Sequence, residues 1–233
     1  MTSGYVSSIQ TLGTLDGPGV RFAVFMQGCN LRCGCCHNPE TWEFGKGTVY
    51  SAEEIADKAA RYREYFGTTG GITVSGGEPL MQAKFVSEVF SLCKARGINT
   101  CLDTSGSIIN DDVNAVLDAT DYILLDIKYT TDELYKEYAG CSIDTPLEFL
   151  KIANEREIAT RLRQVIIPTI NDNEENIIRL KAIATAHKCV EKIELLPFKK
   201  LCAVKYEQEG KSFRFADIPQ PTAQDMERLN ALI

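Results

Sequence analysis

Short runs of apolar residues alternate along this chain with longer segments whose apolar positions recur at helical spacing, a pattern that predicts strands followed by helices. The first run, residues 20–27 (VRFAVFMQ), reads as a buried strand and opens onto a polar loop rich in glycine and cysteine. Ser51 and Glu54 make a capping box, and Ile55, Ala59, Tyr62 and Phe66 then share a helical face until Gly67 ends the segment. A strand at 72–75 leads to a helix at 79–96 with Phe85, Val86, Val89 and Phe90 on one side, closed by Gly97. The alternation continues with a strand at 98–102, a helix at 111–118, a strand at 122–126 and helical residues within 132–157. It ends with a strand at 158–167, a helix at 171–188, a strand at 190–196 and a helix at 222–233 after the break at Pro219 and Pro221. Six strand-helix units without a dinucleotide fingerprint predict an α/β fold of parallel strands, as an incomplete (β/α)6 barrel or an open sheet. A single domain over residues 1–233 is expected, with no linker, repeat or low-complexity tract.

Composition narrows the partners. With 233 residues, 44% hydrophobic and 24% charged, the chain can bury one substantial core without disulfides. A formal charge of -7, with acids and bases intermixed, gives no field for a polyanion, so no nucleic acid partner is expected. Residues 1–20 carry neither a basic n-region nor an apolar h-region, and no later run reaches membrane-spanning length, so neither leader nor membrane anchor is expected. The nine cysteines are odd in number, and Cys29, Cys33, Cys35 and Cys36 fall within eight residues, too close for a disulfide framework. A reducing cytoplasm fits them.

Cys29, Cys33 and Cys36 stand in a CxxxCxxC arrangement, the spacing being most simply satisfied by Cys36, although Cys35 could replace a neighbour as ligand. Three soft thiolates at this spacing can hold three corners of a cubane iron-sulfur cluster and leave one iron open. The alternative is a structural zinc site completed by His37, although a residue directly after Cys36 has difficulty joining the same tetrahedron. Gly76, Gly77 and Glu78 follow a strand and supply a closely approachable backbone and a carboxylate suited to an ammonium, or simply a turn before a helix. Asp103, Thr104, Asp126 and Lys128 end later strands, and Lys199 follows the sixth, so all these candidates gather where parallel α/β barrels keep their active sites. Strand-end turn formation or helix capping is the plainer reading of the acids. Arg163 lies in an apolar strand and needs a partner, either a cofactor carboxylate or a core salt bridge.

The cysteine motif and Gly76-Gly77-Glu78, in this register, resemble the radical S-adenosylmethionine superfamily. Residues 16–22 (DGPGVRF), 36–42 (CHNPETW), 103–106 (DTSG), 126–128 (DIK) and 195–198 (LLPF) narrow the resemblance to the activating enzymes of glycyl-radical proteins, over nearly the whole chain. The lack of cysteine between Cys36 and Cys93 points to the branch without a cysteine-rich insert, which acts on pyruvate formate-lyase. The resemblance implies a 4Fe-4S cluster on Cys29, Cys33 and Cys36 with one open iron that chelates S-adenosylmethionine. It also implies one-electron reduction by flavodoxin or ferredoxin, and a 5′-deoxyadenosyl radical that takes a hydrogen atom from a glycine Cα of the partner. No side chain need act as acid or base. Cofactor contacts are then expected from Cys35, His37, Gly76, Gly77, Glu78, Asp126, Ile127, Lys128, Arg163 and Lys199. Asp103, Thr104 and Asp126 resemble a monovalent-cation site, Asp16, Gly17 and Gly19 a loop that receives the target glycine, and a monomer is expected. Two positions depart from the pattern: Lys199 stands where relatives often carry histidine, and Cys35 where an aromatic residue is usual. The rival readings are activation of another glycyl-radical enzyme and, in a different class, a zinc-stapled binding module without redox chemistry.

Overall fold

Strands and helices alternate through residues 2–233, the part of the chain that this computed structural model describes. In chain order they are β1 (Ser3–Gly13), β2 (Arg21–Met26), β3 (Thr48–Ser51), α1 (Ala52–Ala60), β4 (Gly71–Gly76), α2 (Ala83–Ala95), β5 (Asn99–Thr104) and α3 (Asp111–Asp118). Then follow β6 (Tyr122–Asp126), α4 (Asp132–Tyr138), α5 (Asp144–Glu155), β7 (Thr160–Ile166), α6 (Glu174–Thr185), β8 (Val190–Pro197), α7 (Ala203–Gln208) and α8 (Ala223–Asn230). The chain divides into two compact units, residues 2–30 with Thr41–Leu124, and Leu31–Glu40 with Leu125–Ile233. No helix among the described residues is long and apolar enough to cross a membrane.

In the first unit the strand order is β3-β1-β2-β4-β5. β2, β4 and β5 run parallel, with Arg21 opposite Gly71 and Gly71 opposite Asn99 at their amino ends. β1 is antiparallel to both β2 and β3. β2 is nearly buried throughout because it lies inside the sheet, which is why its sequence reads as an unbroken apolar run. Helix α2 covers this sheet through Phe85, Val86, Val89, Phe90 and Cys93, all of which are buried. Each large apolar side chain removed from water in this way contributes about 1.5–3 kcal/mol. Helix and strand are so close at one point that a Cβ on Gly4 of β1 would sit 2.5 Å from the Phe85 ring. In the second unit β7 and β8 are parallel, paired from Thr160 opposite Val190 to Ile166 opposite Pro197. Residues of β7 alternate strictly between buried and half-buried.

Two strands and one helix are additions to the expected elements. β1 carries Ser7, Ser8, Gln10 and Thr11 among few apolar residues and exposes much of its length, so it has no apolar run to announce it. β3 is only four residues long and α7 only six. The expected helical stretch at 132–157 is two helices, broken where Gly140 adopts φ +88°, a turn that suits glycine. The helix expected to begin at Pro79 starts instead with a single 3-10 turn, and α proper begins at Ala83. The first helix keeps its capping box but ends at Ala60, and residues 63–65 form a separate 3-10 turn.

Candidate active site

The glycines of Gly76-Gly77-Glu78 answer first to their own chain. Gly76 adopts φ +111°, and a Cβ there would lie 2.2 Å from the Met26 nitrogen; one on Gly77 would lie 2.1 Å from the Gly28 carbonyl oxygen. Only glycine permits that approach. It joins the turn to the start of the cysteine loop: the Glu78 N–H donates to the Gly28 carbonyl at 2.8 Å and the Gly28 N–H to the Thr41 carbonyl at 2.7 Å. Cys29 in turn donates its N–H to the Trp42 carbonyl at 3.2 Å.

The Glu78 carboxylate differs from its expected use. It is 1% exposed and accepts four hydrogen bonds, from Leu80 N–H (3.1 Å), the Thr104 hydroxyl (2.6 Å), Ser105 N–H (2.9 Å) and the Ser105 hydroxyl (2.5 Å). Two carboxylate oxygens offer about four acceptor sites, so none is left for an ammonium. Glu78 therefore ties the end of β4 to the end of β5, and what this turn can offer a cation is main chain. Thr104 spends its hydroxyl in the same network, donating to Glu78 and accepting from Gly106 N–H at 3.0 Å. Asp103 accepts from the Ser75 hydroxyl at 2.8 Å. The loop before β2 is held by its own contacts too. The Asp16 carbonyl accepts from the Thr73 hydroxyl at 2.7 Å, Gly17 has φ +131°, and a Cβ on Gly19 would sit 2.5 Å from the Gly70 nitrogen.

The second unit carries the rest of the cysteine loop, Leu31–Glu40. Arg32 N–H donates to the Ala139 carbonyl (3.1 Å), Gly34 N–H to the Tyr138 carbonyl (2.9 Å) and Cys36 N–H to the Cys33 carbonyl (3.1 Å), which fixes the loop against the end of α4. None of the nine cysteines is in a disulfide. Burial pushes the Cys33 thiol up to about 11, against the pull of the Lys128 ammonium, and burial raises Cys35 as well. The Cys33 thiol therefore holds its proton at neutral pH until a metal displaces it. Among the described residues no three His, Cys, Asp or Glu side chains stand close enough to share one metal ion. The His37 imidazole donates from Nε2 to the Lys199 carbonyl at 2.9 Å, which leaves Nδ1 as its lone-pair nitrogen. The loop carries four free thiols, Cys29, Cys33, Cys35 and Cys36, soft donors of the kind that suit iron and sulfide. Lys199 meets the loop through main chain, and its side chain is exposed.

Asp126 sits between two cations. It accepts from Arg163 Nε at 2.8 Å and from Lys128 Nζ at 2.7 Å, with the three side chains 22%, 12% and 21% exposed. The core salt bridge considered for Arg163 is therefore present. Burial works against the Asp126 charge, but the Arg163 and Lys128 charges and their hydrogen bonds outweigh it and hold the carboxyl at about 2. Burial works against the Lys128 charge too, and Asp126, followed by the two thiols, holds its ammonium well above the usual lysine range. Ile127, fully buried between them, donates its N–H to the Arg163 carbonyl at 3.0 Å. A carboxyl depressed below its unfolded value near ~3.9 stabilises the fold above that value and loses the effect as pH falls through the folded one. Asp126→Asn is thus expected to cost about 2 kcal/mol at neutral pH, the gap from wild type closing between about pH 4 and pH 2 in acid unfolding followed by circular dichroism.

The motif 36–42 conceals a second set of supports. Lys205 on α7 donates to Asn38 Oδ1 (2.9 Å) and Glu40 Oε1 (2.5 Å), and the Tyr206 hydroxyl donates to the Cys36 carbonyl (3.2 Å). These residues went unassigned in the sequence because the partners are 165 to 170 positions apart. Asn38 and Glu40 were visible in the motif, but nothing in the run after Lys199 signalled their counterparts.

A family profile described as the radical SAM superfamily matches residues 23–180. The chain is 41% identical over 219 residues to a pyruvate formate-lyase-activating enzyme of Clostridium pasteurianum, covering 94% of this chain and 92% of that one. It is 37% identical over 237 residues to the enzyme of that name from Listeria monocytogenes, covering 99% and 96% of the two chains. The chain belongs to the pyruvate formate-lyase-activating enzymes of the radical SAM superfamily. A further relative, the pyruvate formate-lyase 1-activating enzyme of Escherichia coli K12, is 36% identical over 233 residues, covering 99% of this chain and 95% of the other. Among solved structures, SuiB of Streptococcus suis bound to its precursor peptide SuiA shares the fold, with a TM-score of 0.71, 18% identity and cover of 91% of this chain and 44% of that one. An α/β fold with mostly parallel strands, of the partial-barrel type of radical SAM proteins, is thereby borne out for this activating enzyme. The expected six strands are joined by β1 and β3, both antiparallel to their neighbours.

Proposed function

We propose that this chain activates pyruvate formate-lyase, using a 4Fe-4S cluster with one open iron held by Cys29, Cys33 and Cys36. The observation that carries the reading is the cysteine loop: three thiols in CxxxCxxC, none in a disulfide, in a chain related over nearly its full length to curated activating enzymes. When bound, the cluster supplies the electron that cleaves S-adenosylmethionine to a 5′-deoxyadenosyl radical, which takes a hydrogen atom from a glycine Cα of pyruvate formate-lyase.

The work of this chain's residues is to bind, orient and shield. Lys128 and Arg163 are the cations proposed for the methionine carboxylate, with Asp126 holding both in place. Main chain at Gly76 and Gly77 is proposed for the methionine ammonium, since the Glu78 oxygens are already engaged. Cys35, His37, Ile127 and Lys199 are proposed to border the remainder of the cofactor. Asp103, Thr104 and Asp126 supply oxygen donors proposed for a monovalent cation. The loop holding Asp16, Gly17 and Gly19 is proposed to receive the target glycine, and a flavodoxin or ferredoxin to deliver the electron to a monomer. The zinc-stapled module is the rival reading, and metal and sulfide analysis tells the two apart.

The test is anaerobic reconstitution with iron and sulfide, then reduction with S-adenosylmethionine and pyruvate formate-lyase. Formation of 5′-deoxyadenosine together with a glycyl signal in electron spin resonance is the expected result. Zinc without sulfide, and neither product, would overturn the reading.

A further inference from the structure

Among the described residues, a few buried side-chain atoms have no hydrogen-bond partner, and one of them is the hydroxyl of Tyr129, next in sequence to Lys128. Tyr129 is 1% exposed. Its ring lies edge-on to Tyr135 with centroids 6.0 Å apart and tilted against Tyr138 at 5.7 Å; Tyr138 in turn meets Phe215 at 5.4 Å. This aromatic group backs directly onto the cysteine loop. The Tyr138 carbonyl accepts the Gly34 N–H, and a Cβ on Gly34 would lie 2.5 Å from the Phe215 ring. The Tyr135 hydroxyl has a partner, accepting from the Lys128 N–H at 3.0 Å, whereas the Tyr129 hydroxyl has none. The charges that act on the Tyr129 phenol are led by Cys35 and Cys33, which puts it in electrostatic reach of both sulfurs. A phenol oxygen lies on the axis of its ring's rotation, so ring flips leave it in place. A fixed, buried donor without an acceptor is costly and uncommon in folded chains.

We propose that the Tyr129 hydroxyl donates a hydrogen bond to a sulfur of the bound cluster, a sulfide or a ligand thiolate, and thereby sets the cluster's reduction potential. The inference rests on the cluster reading above. Reduction adds negative charge to the cluster, so a hydrogen bond to its sulfur favours the reduced form. Tyr129 acts through the cluster and is a positioning and tuning residue.

The experiment compares wild type with Tyr129→Phe after anaerobic reconstitution, without S-adenosylmethionine. Iron and sulfide contents should match. The midpoint potential, read by spectroelectrochemical titration, should fall as the equilibrium constant for reduction drops about threefold to tenfold, tenfold being about 59 mV for a one-electron couple. An exchangeable proton coupled to the reduced cluster, detected by electron-nuclear double resonance before and after transfer to D2O, should be lost in the variant. Thermal melting adds an independent reading. Tyr129→Phe should raise the melting temperature of the metal-free protein, because an unpartnered hydroxyl has gone, and should show no such gain once the cluster is loaded. A loaded variant with unchanged potential and the same coupled proton overturns the proposal. Wild type that takes up no iron and sulfide overturns the cluster reading instead, so the two failures are told apart.

Discussion

Replacing Cys29, Cys33 or Cys36 by alanine is expected to abolish the cluster and the cleavage of S-adenosylmethionine together, with reconstituted iron falling from about four per chain to a small residue. Each of these cysteines is proposed as one corner of a three-point attachment, and Cys35 is the one further thiol in the loop that could stand in for a lost neighbour. Cys35→Ala is expected to keep its iron and its charge-transfer absorption. The same series separates fold from site. The loop is also held by main-chain hydrogen bonds at Gly28, Arg32, Gly34 and Cys36 that no side-chain change removes, so the metal-free variants should melt within a few degrees of wild type. Retention of cluster in Cys36→Ala with its loss in Cys35→Ala would reverse the assignment of the third ligand. Iron analysis and absorption spectroscopy decide it.

Arg21→Met is expected to cost on the order of 3–5 kcal/mol, lowering the melting temperature by about 10 °C. Arg21 is fully buried at the amino end of β2, and its guanidinium makes five hydrogen bonds. Nε donates to the Thr73 hydroxyl at 2.9 Å; Nη1 donates to the Pro18 carbonyl (3.2 Å), the Thr69 carbonyl (3.2 Å) and Asn99 Oδ1 (2.9 Å); Nη2 donates to the Ile72 carbonyl (2.5 Å). Methionine fills much of the volume but leaves every one of these acceptors without its donor. Lysine retains the charge yet offers its donors from a single atom, so Arg21→Lys should recover only part of the loss. Because the guanidinium also fixes Pro18 and, through Thr73, Asp16, the same variant loosens the loop proposed to receive the target glycine. Urea unfolding measures the stability term. Glycyl-radical yield per 5′-deoxyadenosine formed measures the other.

The parts of this molecule written in local pattern were readable before any coordinates. Apolar runs such as Phe22 to Met26 and Ile123 to Leu125 read as interior strands, and the capping box of Ser51 and Glu54 marks where α1 begins. The cysteine loop was readable because the chemistry demands a spacing. What escaped were relations over distance. Three of the four hydrogen bonds to Glu78 come from residues 26 and 27 positions away, so a motif carboxylate suited to a ligand turned out to be occupied at home. Arg163 had an apolar setting that demanded a partner, but Asp126, 37 positions earlier, could not be chosen from sequence over a cofactor carboxylate. Tyr129 carried no signal at all, since a tyrosine after a strand is ordinary until its hydroxyl proves to have nowhere to go.

The sulfur on this chain is sorted by depth. Cys93, Cys101, Cys189 and Cys202 are buried in the interior. Cys29, Cys33, Cys35, Cys36 and Cys141 all keep some access to solvent. Air therefore reaches first the very atoms on which the proposed activity depends, and a protein so inactivated can keep its shape: loss of function through oxygen need not be loss of fold, and a reductant with fresh iron is the natural route of repair.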